Sequence, residues 1–207
     1  MVSSPVTLPR RRGLFMNTNV LIESSRGISC VSTEDKLFSE RRIFFTESVT
    51  PESSAQLIRA LLYLENEDPD KEIVLYINSP GGEVQSGLSV FDTILGLKCP
   101  VRTVCIGTAA SMGSFLFLAG TEREMLPHSQ IMIHDPLING LSGVQKALSL
   151  EKEAEKLMQT RTVLGEIMAE RTGRSLEEVY EKTKEDTYLS AKAALEFGIA
   201  TKITGRT

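Results

Sequence analysis

The sequence predicts an α/β fold, a parallel sheet crossed by helices, and three observations carry that prediction. Continuous runs of β-branched and apolar residues, "EIVLYI" (72–77), "VRTVCI" (101–106) and "QIMIH" (130–134), read as strands covered on both faces. Segments with apolar residues at helical spacing alternate with them, at lengths that suit right-handed crossovers. The 207 residues, 41% of them hydrophobic, are enough for one globular domain with a substantial core.

Taken in order, the first two dozen residues carry Ser, Thr, Pro and the Arg10–Arg11–Arg12 cluster with no acid before Glu23, and do not read as packed structure. Lacking the apolar core of a secretory signal, they fit a flexible tail, a removable propeptide or a short organellar transit segment. "RRIFF" (41–45) is a short strand. Thr50, Pro51 and Glu52 supply an N-cap, a first-turn proline and a first-turn carboxylate, so a helix starts there. Leu57, Ile58, Leu61, Leu62 and Leu64 carry it to the stop at "NEDPD". Strand 72–77 then empties into "NSPGG", followed by a helix over about 84–97, strand 101–106, a helix from about Ala110, strand 130–134 and a long helix ending near Gly173. Ser175 and Glu178 form a capping box for a further short helix, and Ser190 to Phe197 makes another, closed by Gly198.

A formal charge of -4 leaves no broad basic surface for nucleic acid, and no apolar run is long enough to span a bilayer. Cys30, Cys99 and Cys105, an odd number without a CxxC pair, fit a reducing compartment. With His128 and His134 they match no zinc spacing.

In parallel α/β folds functional groups collect beyond the carboxyl ends of strands, which singles out Asn78 to Gly82, Gly107 to Gly113 and the stretch after His134. Ser111 falls at a helix start, where free N–H groups stabilise developing negative charge. Alone, a serine among Ala109, Ala110 and Gly113 is a cap or packing residue, and Ala109 breaks the GxSxG pattern. As a nucleophile it needs a base. His128 sits in a polar turn, whereas His134 ends an apolar strand near the same sheet edge. For the third group, Asp135 would turn away from the face His134 uses, and Asp186 by spacing alone is equally a solvated loop acid. "NSPGG" is either a tight turn or the source of an oxyanion N–H partnered by that of Met112; it is neither GxGxxG nor GxxxxGK[ST].

From about Val20 to Ile203, "LYINSPGG", "CIGTAASMGSFL", "LAG", "MIHDPL", "ERTGRSLEEV" and "DTYLSA" occur in one order. In this the sequence resembles the Clp protease proteolytic-subunit (ClpP) family of self-compartmentalised serine peptidases. The resemblance implies Ser111 as nucleophile, His134 as base and Asp186, rather than Asp135, as the orienting acid, with the N–H groups of Gly82 and Met112 as the oxyanion hole. It implies a ClpP/crotonase-like fold of stacked βαβ units with a protruding helical and strand handle. An N-terminal segment over 1–19, removed as a propeptide in many members, would precede a peptidase domain over 20–207. It further implies two stacked heptameric rings of self or a paralogue, fed with unfolded polypeptide by an AAA+ Clp unfoldase that consumes the ATP. The chain itself would need no cofactor and no metal, bind neither nucleic acid nor membrane, and work in the cytoplasm unless the opening segment is a transit peptide.

The chain departs from the family pattern in three places. "ISCVSTEDKLFSERR" replaces a tyrosine-rich segment near the unfoldase docking site, and "LINGLSGVQKALSLEKEAEK" replaces a Gly/Gln-rich handle strand. Lys184–Glu185 stands where an acid–Arg pair is usual, with Asp135 in place of a glutamine, which suggests a pairing of Asp135 with Lys184, within the chain or across rings. These departures motivate one alternative, a non-catalytic ring subunit beside an active paralogue. A crotonase-type acyl-CoA enzyme is the second, although it has no required place for the serine and histidine.

Overall fold

The computed structural model describes residues 18–24, 27–137 and 147–204. Residues 1–17, on which the propeptide reading falls, and residues 138–146 of the segment that replaces the handle strand lie outside these. The chain divides into two compact units, one ending at Glu40 and one running from Arg41 to Thr207.

In the first unit, β1 (Asn19–Ser24) pairs antiparallel with β2 (Gly27–Ser32), Asn19 opposite Ser32 and Ser24 opposite Gly27. Helix α1 (Thr33–Ser39) follows at once, its N-cap Ser32 accepting from the Asp35 N–H at 2.9 Å. The sequence reading placed no element here: most of β2 is exposed, so it carries no buried stripe to read.

The second unit is built on a parallel sheet in the order β3 (Arg42–Phe45), β4 (Ile73–Ser79), β5 (Val101–Ala110), β6 (Glu122–Met125), β9 (Lys202–Ile203). Two further strands leave this path: β7 (Gln130–Ile133) pairs parallel with β5, and β8 (Thr187–Ser190) pairs antiparallel with β7. Helices α2 (Pro51–Glu67), α3 (Val84–Gly96), α4 (Met112–Leu118), α5 (Ala147–Thr172), α6 (Leu176–Thr183) and α7 (Ala191–Phe197) connect the strands. The capping chemistry operates as the sequence implies. Thr50 and Ser53 exchange capping bonds at the start of α2, Ser175 and Glu178 at the start of α6, and Gly198, at φ 92°, closes α7.

Strand β5 decides where the site forms. Its first half, Arg102 to Cys105, pairs with β6, and its last residues, Thr108 to Ala110, pair with β7. Sequence alone ends this strand at Ile106, because Gly107 and the alanines after it lack β-branched bulk; the ladders on both sides hold it extended to Ala110. An irregularity at Asn78 in β4 is filled by its own side chain, whose Oδ1 accepts from the Thr108 N–H at 2.9 Å. Behind the site, α4 is buried along its whole length, with Leu116, Phe117 and Leu118 fully enclosed. Each such side chain contributes about 1.5–3 kcal/mol, which anchors the helix start at Ser111.

Candidate active site

Three strand ends converge on Ser111. Ser79 of β4 is level with Ala109, Ile131 of β7 is level with Ala109 on its other side, and the Ser111 N–H donates to the Met132 carbonyl at 2.9 Å. The residue itself has φ 51° and ψ -124°, a conformation that costs a non-glycine residue about 1–3 kcal/mol and persists only when its surroundings impose it. Its hydroxyl makes no capping bond to α4. Instead, Ser111 Oγ lies 2.9 Å from His134 Nε2, at the end of β7. A plain cap or packing role requires neither the strained backbone nor that partner.

Gly81 makes this geometry attainable. At φ +89°, a Cβ on it would stand 2.5 Å from the Ala110 carbonyl oxygen, 2.7 Å from Ser111 Cβ and 2.8 Å from Met112 N, so only glycine lets the "SPGG" turn press against the Ser111 bend. The turn is held by Val49, whose N–H donates to the Gly81 carbonyl and whose carbonyl accepts from the Glu83 N–H, both at 2.9 Å. A cleft of about 240 Å³ opens beside Ser111 and His134, with Gly82 and Met112 also on its wall. Met112 is the first residue of α4, where the helix supplies no acceptor for its N–H. Phe115, Met132 and Leu164 make the cleft's inner wall apolar.

The acid is placed differently from the other two groups. The ladder of β7 with β8 ends at Ile133 opposite Thr187, and His134 and Asp186 are the next residues beyond its two strands. The Asp186 side chain is nevertheless exposed, and His134 Nδ1 is buried with no hydrogen-bond partner among the described residues. The structure therefore brings Ser111 and His134 into contact and leaves the Asp186 carboxylate off the imidazole. Sequence reasoning missed β8, which begins at the residue after Asp186; the alternation of Thr187, Tyr188, Leu189 and Ser190 is too short to stand out.

Asp135 turns to α5 and α6 for its partners. Its Oδ2 accepts from Arg161 Nε at 2.6 Å and its Oδ1 from the Thr183 hydroxyl at 2.7 Å. Within one chain Lys184 pairs with Glu181, and Arg161 and Thr183 engage both Asp135 carboxylate oxygens; a pairing of Asp135 with Lys184 across rings would be a contact between copies. His128 is exposed in the turn before β7. Cys99 and Cys105 are buried free thiols, and burial pushes both above the ordinary thiol range, so neither is poised as a thiolate. Among the described residues no cluster of three or more His, Cys, Asp or Glu side chains is placed to hold a metal, and no helix is long and apolar enough to cross a membrane.

Comparison with known proteins gives one consistent result. The family model described as Clp protease matches residues 25–207. An "ATP-dependent Clp protease proteolytic subunit 1" of Prochlorococcus marinus (strain NATL2A) is 43% identical over 182 residues, 87% of this chain and 91% of the relative. The subunit 1 of Synechococcus sp. (strain CC9902) matches at the same identity and coverage, and a "proteolytic subunit 2" of Parasynechococcus marenigrum (strain WH8102) is 42% identical over the same share of each chain.

Proposed function

The chain belongs to the Clp protease family, a family of hydrolases, and from that premise we propose that it is a serine endopeptidase acting through Ser111, His134 and Asp186. The observation that carries this reading is the 2.9 Å contact of Ser111 Oγ with His134 Nε2 at a backbone conformation that no capping role requires. His134 takes the hydroxyl proton as the serine oxygen attacks a peptide carbonyl in the cleft. The oxyanion is received by the N–H groups of Gly82 and Met112. The protonated imidazole then gives its proton to the leaving amine, and a water activated by the same histidine releases the acyl group from Ser111. Asp186 completes the set by bringing its carboxylate onto His134 Nδ1; the two residues flank the last pair of the β7–β8 ladder.

In this reading the chain assembles with itself or a paralogue into stacked heptameric rings, receives unfolded polypeptide from an ATP-consuming AAA+ Clp unfoldase, and needs no cofactor or metal of its own. It works in the cytoplasm. The family membership and the names of its relatives support this. Ser111→Ala is expected to abolish peptide hydrolysis while leaving the thermal midpoint and assembly unchanged; undiminished turnover in that variant would reject the assignment. One observation favours a second reading, a non-catalytic ring subunit: His134 Nδ1 has no hydrogen-bond partner among the described residues. Labelling of Ser111 by a fluorophosphonate, in the chain alone and mixed with a paralogue, separates the two.

A further inference from the structure

We propose that Asp135, gripped by Arg161 and Thr183, is a positioning residue that sets His134 against Ser111 and holds the segment carrying Asp186 beside it. The proposal rests on the peptidase reading above. Three elements meet at Asp135. Its N–H donates to the Thr183 carbonyl at 2.6 Å, and its carboxylate accepts from the Thr183 hydroxyl at 2.7 Å and from Arg161 Nε at 2.6 Å. Arg161, on α5, lies over the Tyr180 ring of α6, its guanidinium carbon 3.7 Å from the ring centroid. The end of β7, the middle of α5 and the end of α6 are thereby tied by charge-assisted bonds at side chains only 23% and 31% exposed, where solvent screens them less than a surface pair.

The position of the tie gives it a consequence for the base. His134 lies between two fixed backbone points: the Met132 carbonyl, held by the Ser111 N–H, and the Asp135 N–H, held by Thr183. The imidazole meets Ser111 and the next side chain meets Arg161, so holding the Asp135 backbone and carboxylate restrains the backbone that carries the imidazole. Thr183 ends α6 and Asp186 is three residues on, so the same tie sets where the acid-bearing segment meets β7. A reacting pair displaced by on the order of 1 Å loses about 100-fold in rate.

The test uses the full chain in its assembled form and a fluorogenic peptide. Asp135→Asn and Arg161→Gln are each expected to lower kcat by about 10- to 100-fold with KM within about twofold. The double variant should be no slower than the worse single one, and Arg161→Lys should retain more activity than Arg161→Gln. Thr183→Val, a milder change, should lower kcat about three- to tenfold. Thermal midpoint and sedimentation are read on the same samples. The proposal is overturned by Asp135→Asn turnover within twofold of the parent or by additive losses in the double variant. Loss of assembly in Asp135→Asn with unaltered kcat in Thr183→Val also overturns it. A fully active Ser111→Ala variant would overturn the peptidase reading itself, whereas an inactive Ser111→Ala beside a silent Asp135→Asn overturns only the positioning role.

Discussion

Gly81→Ala tests the local construction of the site with a single methyl group. At φ +89° an alanine is disfavoured by about 1–2 kcal/mol. Its Cβ meets the Ala110 carbonyl oxygen at 2.5 Å and Met112 N at 2.8 Å, and both are backbone atoms that cannot swing aside as a flexible side chain would. Overpacking of this kind costs about 1–3 kcal/mol, so the expected loss of stability is about 2–5 kcal/mol. Relieving the closest contact to the 3.4 Å of ordinary packing takes about 0.9 Å of movement, and the atoms that must move flank Ser111 and Met112. Displacement on that scale lowers kcat by about 100-fold. Peptide hydrolysis and guanidinium unfolding measure the two effects, with Gly96→Ala as the control, because a Cβ there meets nothing within 4 Å. A Gly81→Ala protein with kcat within about threefold of the parent and an unchanged unfolding midpoint refutes the idea that the turn sets the Ser111 bend.

Two further outcomes follow from the same geometry. Asp186→Asn should lower kcat by about 10⁴-fold while leaving KM and assembly in place; retained turnover would show that His134 works without that carboxylate. Glu124 of β6 supplies a pH dependence of stability. Burial alone would raise its pKa, but hydrogen bonds from Lys202 and Thr204 and the Arg102 and Lys202 charges outweigh burial and hold it below the usual 4.5. Between the folded and unfolded values the unfolded chain binds more protons, so this stabilisation is present above about pH 4.5 and is lost as pH falls through the folded value. Urea midpoints measured across that range should fall less steeply with acid in Glu124→Gln than in the parent.

Much of the site was legible before any coordinates. Ser111, His134, Gly82 and Met112 each follow a strand recognisable by its apolar run, and a parallel sheet gathers such ends at one edge. The resemblance supplied the roles. Spacing alone left Ser111 a packing residue, because nothing in "GTAASMG" states that β5 runs on to Ala110 or that φ at Ser111 is positive. The Asp135 partners were not legible at all: Arg161 and Thr183 are 26 and 48 residues away, and only the packing of α5 and α6 makes them neighbours.

What the sequence determined by itself is local: helix starts at Thr50, Ser175 and Ser190, the stop at Gly198, and the alternation that makes a parallel sheet, because capping and side-chain periodicity act within a few residues. What only the tertiary structure decided is the meeting of distant groups. These are the switch of β5 from one neighbour to another, the 2.9 Å contact across 23 residues, and the pairing of β8 with β7 that ends next to Asp186 and His134. Those depend on which strand ends pair, and pairing is settled by burial of the whole sheet rather than by any one segment.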